Sequence, residues 1–385
     1  MTEPTRIRPG GSVSQPDEAG TGLAHLAFAL AVHRALAPAP TRGACWSPFS
    51  VAAALRLVAA GAAGPTRDEL VALLLGEKSG DLDALGRLLS EASRLDERGP
   101  DDRNSVLAVA NTLWADRLIE IRESFAAEVG TVRSAPFQAD PDQARELINT
   151  DVARTTRDLI PELVPDGAIG PLTVAALVSA LYLKCAWAHP FAEGATEPRP
   201  FHTPAGPVRV PTMELTESVG YAATGGWQVV SLPAVGGVRA VVLLPDGDLA
   251  EAEPALTAGT LAGLLDAARP VRVRLRMPRL AVSTQAELTA VLKALGVRTM
   301  FSAFAADLSG ISPDPLFVES VLHESVLKLD EQGLEGAAAT AVMIGLLSFN
   351  TQVPVPVDVD RPFLLLVQHA GTGVVYFMAR VVTPV

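Results

Sequence analysis

Asp330-Glu331-Gln332-Gly333-Leu334-Glu335-Gly336-Ala337-Ala338-Ala339-Thr340-Ala341-Val342-Met343-Ile344-Gly345-Leu346-Leu347-Ser348-Phe349 is the stretch on which the reading of this chain turns. Its alanines favour a buried helix, but Gly333, Gly336 and Gly345 each weaken a helix by about 1 kcal/mol. A membrane anchor would need a longer apolar run. A plain surface loop would be less apolar. Residue types alone favour the helix and leave the other two readings open.

The surrounding chain narrows the choice of class. With 49% hydrophobic and 19% charged residues, 385 residues can bury a large core. The net charge of −12 argues against nucleic acid, and no long basic run exists to hold a heparin-type polyanion. Asp96–Arg103 is mixed in sign and reads as a solvated loop. Cys45 and Cys185 are too few for a disulfide framework and sit in apolar surroundings, so both read as buried free thiols. The N-terminus lacks a basic-then-apolar signal pattern, and no apolar run reaches the ~18–20 residues that span a bilayer. These features predict a soluble, intracellular protein without membrane contact. Few Lys against many Arg, with abundant Ala, is what GC-rich coding gives and suggests a bacterial source.

Met1–Gly20 is rich in Pro, Gly, Ser and Thr and reads as a flexible tail ahead of a single domain, residues 21–385. Helical spacing is expected over Gly22–Leu36, after Ser47-Pro48 to Ala63, over Arg67–Leu75 with Thr66-x-x-Glu69 as a capping box, over Asp81–Leu95, Arg122–Val129 and Asp140–Arg157, and over Glu287–Leu295. Strands are expected at Ser105–Trp114, Thr173–Leu183, Val208–Met213, Trp227–Leu232, Ala240–Leu244 and Val271–Met277. Phe363–His369 and Val374–Val382 read as a hairpin. Helices dominate the first half and strands the second, with no βαβ alternation and no repeat, which gives an α+β class.

Catalytic signals are missing. The six histidines, His25, His33, His189, His202, His323 and His369, make no metal-ligand spacing. There is no G-x-S-x-G elbow and no Walker loop, and Gly371-Thr372-Gly373 is a turn rather than a dinucleotide loop. No enzyme, metal or cofactor is expected.

The 330–349 stretch resembles the hinge and reactive-centre loop of the serpins, a family of serine protease inhibitors. The family pattern, a His followed by Glu-x-Gly-x-Glu-Ala-Ala-Ala-Ala-Thr, is met by His323 and then Glu331-Gln332-Gly333-Leu334-Glu335-Gly336-Ala337-Ala338-Ala339-Thr340. Further landmarks follow in order: Ser47-Pro48-Phe49-Ser50, Asn111-Thr112-Leu113-Trp114, Ile148-Asn149 with Thr155, Leu181-Tyr182-Leu183-Lys184-Cys185-Ala186-Trp187 with Phe191, Asp307-Leu308-Ser309-Gly310, Asp360-Arg361-Pro362-Phe363 and Phe377–Val381.

The resemblance implies a fold of three β-sheets with eight or nine helices and an exposed loop over about residues 331–353. It implies a monomer that traps a serine protease as a covalent acyl-enzyme complex. The cleaved loop inserts as a new strand, a mode of strand addition that belongs to the resemblance and not to the residue pattern. The inward set then maps to Leu334, Gly336, Ala338, Thr340, Val342 and Ile344, none of them charged. The scissile residue usually lies sixteen places after the hinge Glu, which gives Leu347 followed by Ser348, with later bonds up to Thr351 open to a longer count. Leu347 suits chymotrypsin-like or subtilisin-like proteases. Ser50, Ser179 and His323 map to the polar shutter, and Trp187 to the breach at the top of the sheet. His323 alone would read as a satisfied core histidine, and Trp187 as a core aromatic. The chain departs from the family at Leu334 (usually Thr, Ser or Val), whose bulk is expected to slow the first step of insertion. It also departs at Gly336 (usually Ala), Ser179 (usually Asn) and Cys185 (usually Gly). A non-inhibitory carrier or interaction protein is the alternative.

Overall fold

Ala175–Ala186 is a nearly continuous apolar run, and a strand of that kind must be covered on both faces. The computed structural model, which describes residues 16–95, 105–129, 132–170, 173–334 and 353–384, places it at the centre of a six-stranded sheet. This strand, β4, is buried throughout except for Lys184. The sheet runs β10 (Leu280–Glu287), β11 (Ser320–Leu329), β12 (Gly333–Leu334), β4, β2 (Val106–Asp116) and β3 (Val132–Ala135). Its two faces are separate cores. On one, Ala176, Val178, Ala180, Trp114 and Leu322 pack with Ile148 and Val152 of helix α6 (Pro141–Thr155). On the other, Leu113, Leu177, Leu181 and Leu327 join the main core with helix α2 (Pro48–Gly61).

The second sheet has nine strands. Its path is β1 (Ala44–Trp46), β15 (Val375–Val381), β14 (Phe363–His369), β8 (Val238–Pro245), β7 (Trp227–Ala234), β6 (Gly206–Thr224), β9 (Arg269–Pro278) and β13 (Val355–Asp358), with β5 (Glu197–Thr203) on β6. The expected hairpin is β14 and β15, both fully buried. The three sheets expected appear as two hydrogen-bonded sets. The 19-residue β6 pairs with β5, then β9, then β7 without a break, and so joins the second and third.

Helix α2 lies between the sheets, which explains why Ala54, Leu55 and Val58 have no exposure. Its start is fixed by Ser47, whose Oγ accepts the Ser50 N–H, and by Pro48 in the first turn. The other helices are α1 (Pro16–Leu36), α3 (Gly64–Leu75), α4 (Leu82–Ala92), α5 (Glu123–Val129), α7 (Leu249–Ala252), α8 (Ala258–Ala267) and α9 (Thr289–Ala294).

Several local expectations change. Helix α1 begins at Pro16, inside the stretch read as tail, while residues 1–15 lie outside the described residues. Thr66 and Glu69 make no capping box. Thr66 Oγ1 accepts the Asp307 N–H, and Glu69 accepts N–H groups from Arg298 and Thr299. Strands β5, β10, β11 and β13 carry too little apolar alternation, or too few residues, to be recognised as strands from the sequence.

A buried ion cluster ties the C-terminal strand to the helices. Arg380 of β15 pairs with Glu253 through two bonds of 2.6 and 2.5 Å, and His33 Nε2 lies 3.1 Å from the same carboxylate. Burial works against the Glu253 charge, but the His33 imidazole beside it and the Arg380 guanidinium bonded to it outweigh this and hold its pKa at about 2. Glu253→Ala strands the Arg380 charge and should cost about 3–5 kcal/mol in urea unfolding. The double change Glu253→Leu with Arg380→Met should cost less. Equal loss in both variants would contradict this account.

Candidate functional site

The hinge is built by one tight turn. Asp330 ends β11, and its Oδ1 accepts the N–H of Gln332 at 2.8 Å and of Gly333 at 3.2 Å. Its own N–H donates to the Gly333 carbonyl at 3.0 Å, so the chain reverses at once. The returning strand is β12. A Cβ on Gly333 would lie 2.2 Å from the Cys185 carbonyl oxygen, so only glycine fits there. Leu334 pairs with Leu329 on one side and Cys185 on the other and has no exposure.

Glu331 anchors this turn. The Arg279 guanidinium reaches both carboxylate oxygens at 2.8–3.0 Å, and Thr196 Oγ1 also donates to it. Burial raises the Glu331 pKa, but Arg279 and Thr196 together more than reverse this and keep the carboxyl below its usual range. The backbone is held as well. Phe191 N–H donates to the Glu331 carbonyl and Trp187 N–H to that of Gln332, both at 2.9 Å. The Trp187 indole N–H donates to the Asp330 carbonyl at 2.9 Å. Trp187 and Phe191 meet edge to face at 6.3 Å.

Five side chains converge where β4 meets β11 and the start of α2. Ser50 Oγ donates to Asn111 Oδ1 at 2.5 Å, and Ser179 Oγ donates to Ser50 Oγ at 2.9 Å. His323 Nδ1 lies 3.0 Å from the Ser179 carbonyl, so it carries the proton. His323 Nε2 accepts the Ser47 N–H at 3.1 Å and lies 3.0 Å from Ser325 Oγ. Burial lowers the His323 pKa from its usual 6.5 to about 4, partly opposed by its bond to Ser179.

Between hinge and cluster runs a slot. β4 and β11 pair directly, in parallel, only from Ala176 opposite Ser320 to Ala180 opposite Glu324. At the other end Cys185 and Leu329 are separated by Leu334. Among the described residues no strand lies between Leu181–Lys184 and Ser325–Lys328. The offset between the two strands is the same at both ends, so an added strand needs no slip.

Ser50, Ser179 and His323 are thus brought together, and Trp187 bonds to the Asp330 and Gln332 carbonyls of the hinge. Leu334, expected to slow the first step of insertion, is already seated in the sheet. Glu335, Gly336, Ala337, Ala338, Ala339 and Thr340, with Leu347 and Ser348, lie outside the described residues. The sequence reading missed Asn111, which stands directly opposite Ser179 and supplies the amide that Ser179 lacks. It also missed Ser325, Arg279 and Thr196. Arg279 and Thr196 lie 52 and 135 residues from Glu331, so no short motif joins them to it, whereas Ser325 stands only two residues from His323. Among the described residues there is no group of three metal-ligating side chains and no helix long and apolar enough to cross a membrane.

The family model for "Serpin (serine protease inhibitor)" matches residues 23–384. The chain belongs to the serpin family. It is 33% identical to Serpin-Z2A of Oryza sativa subsp. japonica, covering 96% of this chain and 98% of that protein. It is 31% identical to Iripin-2 of Ixodes ricinus, covering 95% and 94%. Among solved structures, thyroxine-binding globulin in complex with thyroxine matches with a TM-score of 0.82 at 24% identity, over 94% of this chain and 99% of that one. Uncleaved ovalbumin matches with a TM-score of 0.81 at 24% identity, over 94% and 100%. The serpin fold expected from the sequence is therefore the fold found, and the family is one of protease inhibitors rather than catalysts.

A neutral buried His323 favours the native state above pH 6.5, where the unfolded chain is also neutral. That advantage, about 3 kcal/mol, fades as pH falls from 6.5 toward 4, where the unfolded state takes up a proton that the native state refuses. Buried His25, also lowered to about 4, acts in the same sense. The thermal midpoint should therefore drop over this window and stay flat just above it. His323→Asn should make the drop shallower, and an unchanged slope would contradict the assignment.

Proposed function

We propose that this serpin is an irreversible suicide-substrate inhibitor of serine proteases with an apolar specificity pocket, chymotrypsin-like or subtilisin-like, with Leu347–Ser348 as the bait bond. The protease serine would attack the Leu347 carbonyl, form an ester, and release the Ser348 amine. Insertion of the freed loop would then carry the acylated protease away before water can complete the cycle. In this reading the partner is the protease alone, held by a monomer without cofactor or polyanion.

The observation that supports this most is the seating of Leu334 at the head of an in-register slot. Continuing its pairing places Gly336 between Leu327 and Leu183, Ala338 between Ser325 and Leu181, and Thr340 between His323 and Ser179. The small inward residues would thus fill the slot, and Thr340 would arrive at the polar cluster. Passing that point requires the Ala176–Ala180 ladder to part from Ser320–Glu324. About ten new ladder bonds at ~0.5–1.5 kcal/mol each give a drive of order 10 kcal/mol. Until cleavage, the native state would persist by a kinetic barrier.

The second reading, a non-inhibitory carrier, draws on one feature. Leu334 is bulkier than the family's usual residue and is locked in place with Glu331, which could hold insertion at its first step.

The test is to mix the pure protein with chymotrypsin, and separately with subtilisin, and follow products by denaturing gel and mass spectrometry. The proposal expects a complex that survives denaturant and a released peptide starting at Ser348. Thr340→Arg, which would drive a charge into the buried cluster, should keep the cleavage and abolish the complex. Cleavage of the unaltered protein without complex, and without gain in heat stability, would support the carrier reading.

A further inference from the structure

Between α6 and β4 the chain lies across the outer face of the first sheet. On the β10 side Gln285 Nε2 donates to the carbonyls of Glu162 and Leu163 at 3.3 and 2.9 Å. On the α6 side the Asn149 amide bonds both the N–H and the carbonyl of Val164, at 2.8 and 2.9 Å. Ile160, Leu163 and Val164 pack in one core with Val178 and Ala180 of β4 and Leu322 of β11. Residues 160–164 are therefore a strap, tied at both edges, over the seam where β4 and β11 pair directly.

The last joined rung of that seam carries Glu324, opposite Ala180 on β4 and Gln285 on β10. Leu322 and Val326, two residues to either side, pack in the core beneath the strap, so Glu324 points to the same face. It is half-buried. Among the described residues its carboxylate has no ion pair, and burial, with nothing opposing it, raises its pKa above the usual 4.5. Gln285, the polar side chain opposite, is committed to the strap. The other charges nearby are committed or distant. On β11, His323 faces the opposite side and Lys328 lies four residues on. On β10, Glu287 accepts the Thr289 N–H. On β4, Tyr182 lies under the Arg157 guanidinium at 5.5 Å, and Lys184 is four residues beyond Ala180. In the strap and its continuation, Glu162 and Asp166 each pair with Arg145 of α6 at 3.0 Å. Asp151 of α6 is held by Arg133 and Arg154.

We propose that Glu324 is a pH-set release for the seam: ionised, it loosens the β4–β11 ladder beneath the strap, and protonated, it lets the ladder close. The inference goes beyond the inhibitor reading and needs neither a protease nor loop insertion. When strap and ladder part, the carboxylate returns to water and its ordinary pKa. At pH well above the raised value both states are ionised, and the closed seam alone bears the cost of a half-buried charge. As pH falls toward 4.5 the closed seam takes up a proton before the open one does, and gains on it. This sense is opposite to that of His323 on the other face, so the two groups are separable by substitution.

The test is amide hydrogen exchange of Ala176–Ala180 and Ser320–Glu324 in the intact protein at pH 7.5 and 4.5, corrected for intrinsic rates. Glu324→Gln keeps the shape and removes the charge. It should exchange about fivefold more slowly than the unaltered protein at pH 7.5 and at about the same rate at pH 4.5. Glu324→Lys keeps a charge at the rung and should show no such gain. Gln285→Ala frees one edge of the strap, so in that background Glu324→Gln should slow exchange much less. Equal exchange of Glu324→Gln and the unaltered protein at pH 7.5 overturns the proposal. So does a gain that persists at pH 4.5, or one that Glu324→Lys shares, since either would make side-chain shape rather than charge the cause.

Discussion

β4 and β11 run parallel at one constant offset from Ala176 and Ser320 to Cys185 and Leu329, yet they bond to each other over only half that length. Among the described residues nothing pairs with the backbone donors and acceptors that face each other over the other half, and the cost of unpaired backbone favours a strand that can pair there. The offset matters more than the gap. Because it is preserved, one strand can enter between the two without either shifting along its axis.

The rest of the molecule is arranged around the half that no described strand joins. At its head the Asp330 turn, Gly333 and the Arg279–Glu331 pair aim the chain between the two strands as far as Leu334, the last described residue there. At its foot the hydrogen bonds among Ser50, Asn111, Ser179, His323 and Ser325 span α2, β2, β4 and β11, and parting the two central strands breaks the His323–Ser179 link at their seam. Helix α6 packs on the outer face across the same joined half, through Ile148 and Val152 against Ala176, Val178 and Leu322. Just past its end, Arg157 and Asp158 adopt left-handed backbone at φ 52° and 62°, local strain at an element that deeper insertion would disturb.

Some of this was legible in the sequence because its causes are local. The unbroken apolar run at Ala175–Ala186, the Ser47-Pro48 helix start and the hairpin of Phe363–His369 with Val375–Val381 all follow from residue type and spacing. The quoted 330–349 stretch was not legible in that way. Its composition favours a helix, whereas Gly333 and Leu334 form a strand, since the closeness of the Cys185 carbonyl and the pairing of Leu329 are tertiary facts. The rest of the stretch, from Glu335 on, lies outside the described residues. Ser179 stands where the family usually has Asn. The structure shows the amide contributed by Asn111 from the neighbouring strand, a relation that exists only once β2 and β4 are in register. Likewise Thr66 and Glu69 fit a capping pattern but bind Asp307, Arg298 and Thr299 across the fold, where stronger partners are available.

The central claim of the proposed function is that the cleaved loop pairs with Leu181–Lys184 and Ser325–Lys328, which no described strand joins. Amide hydrogen exchange of Leu181–Ala186 and Ser325–Leu329, measured before and after a protease cuts the loop, tests it most directly. The account predicts that these two segments exchange readily in the intact protein and become strongly protected after cleavage, with the first half of β4 protected in both. Unchanged exchange in these segments after complete loop cleavage would contradict it.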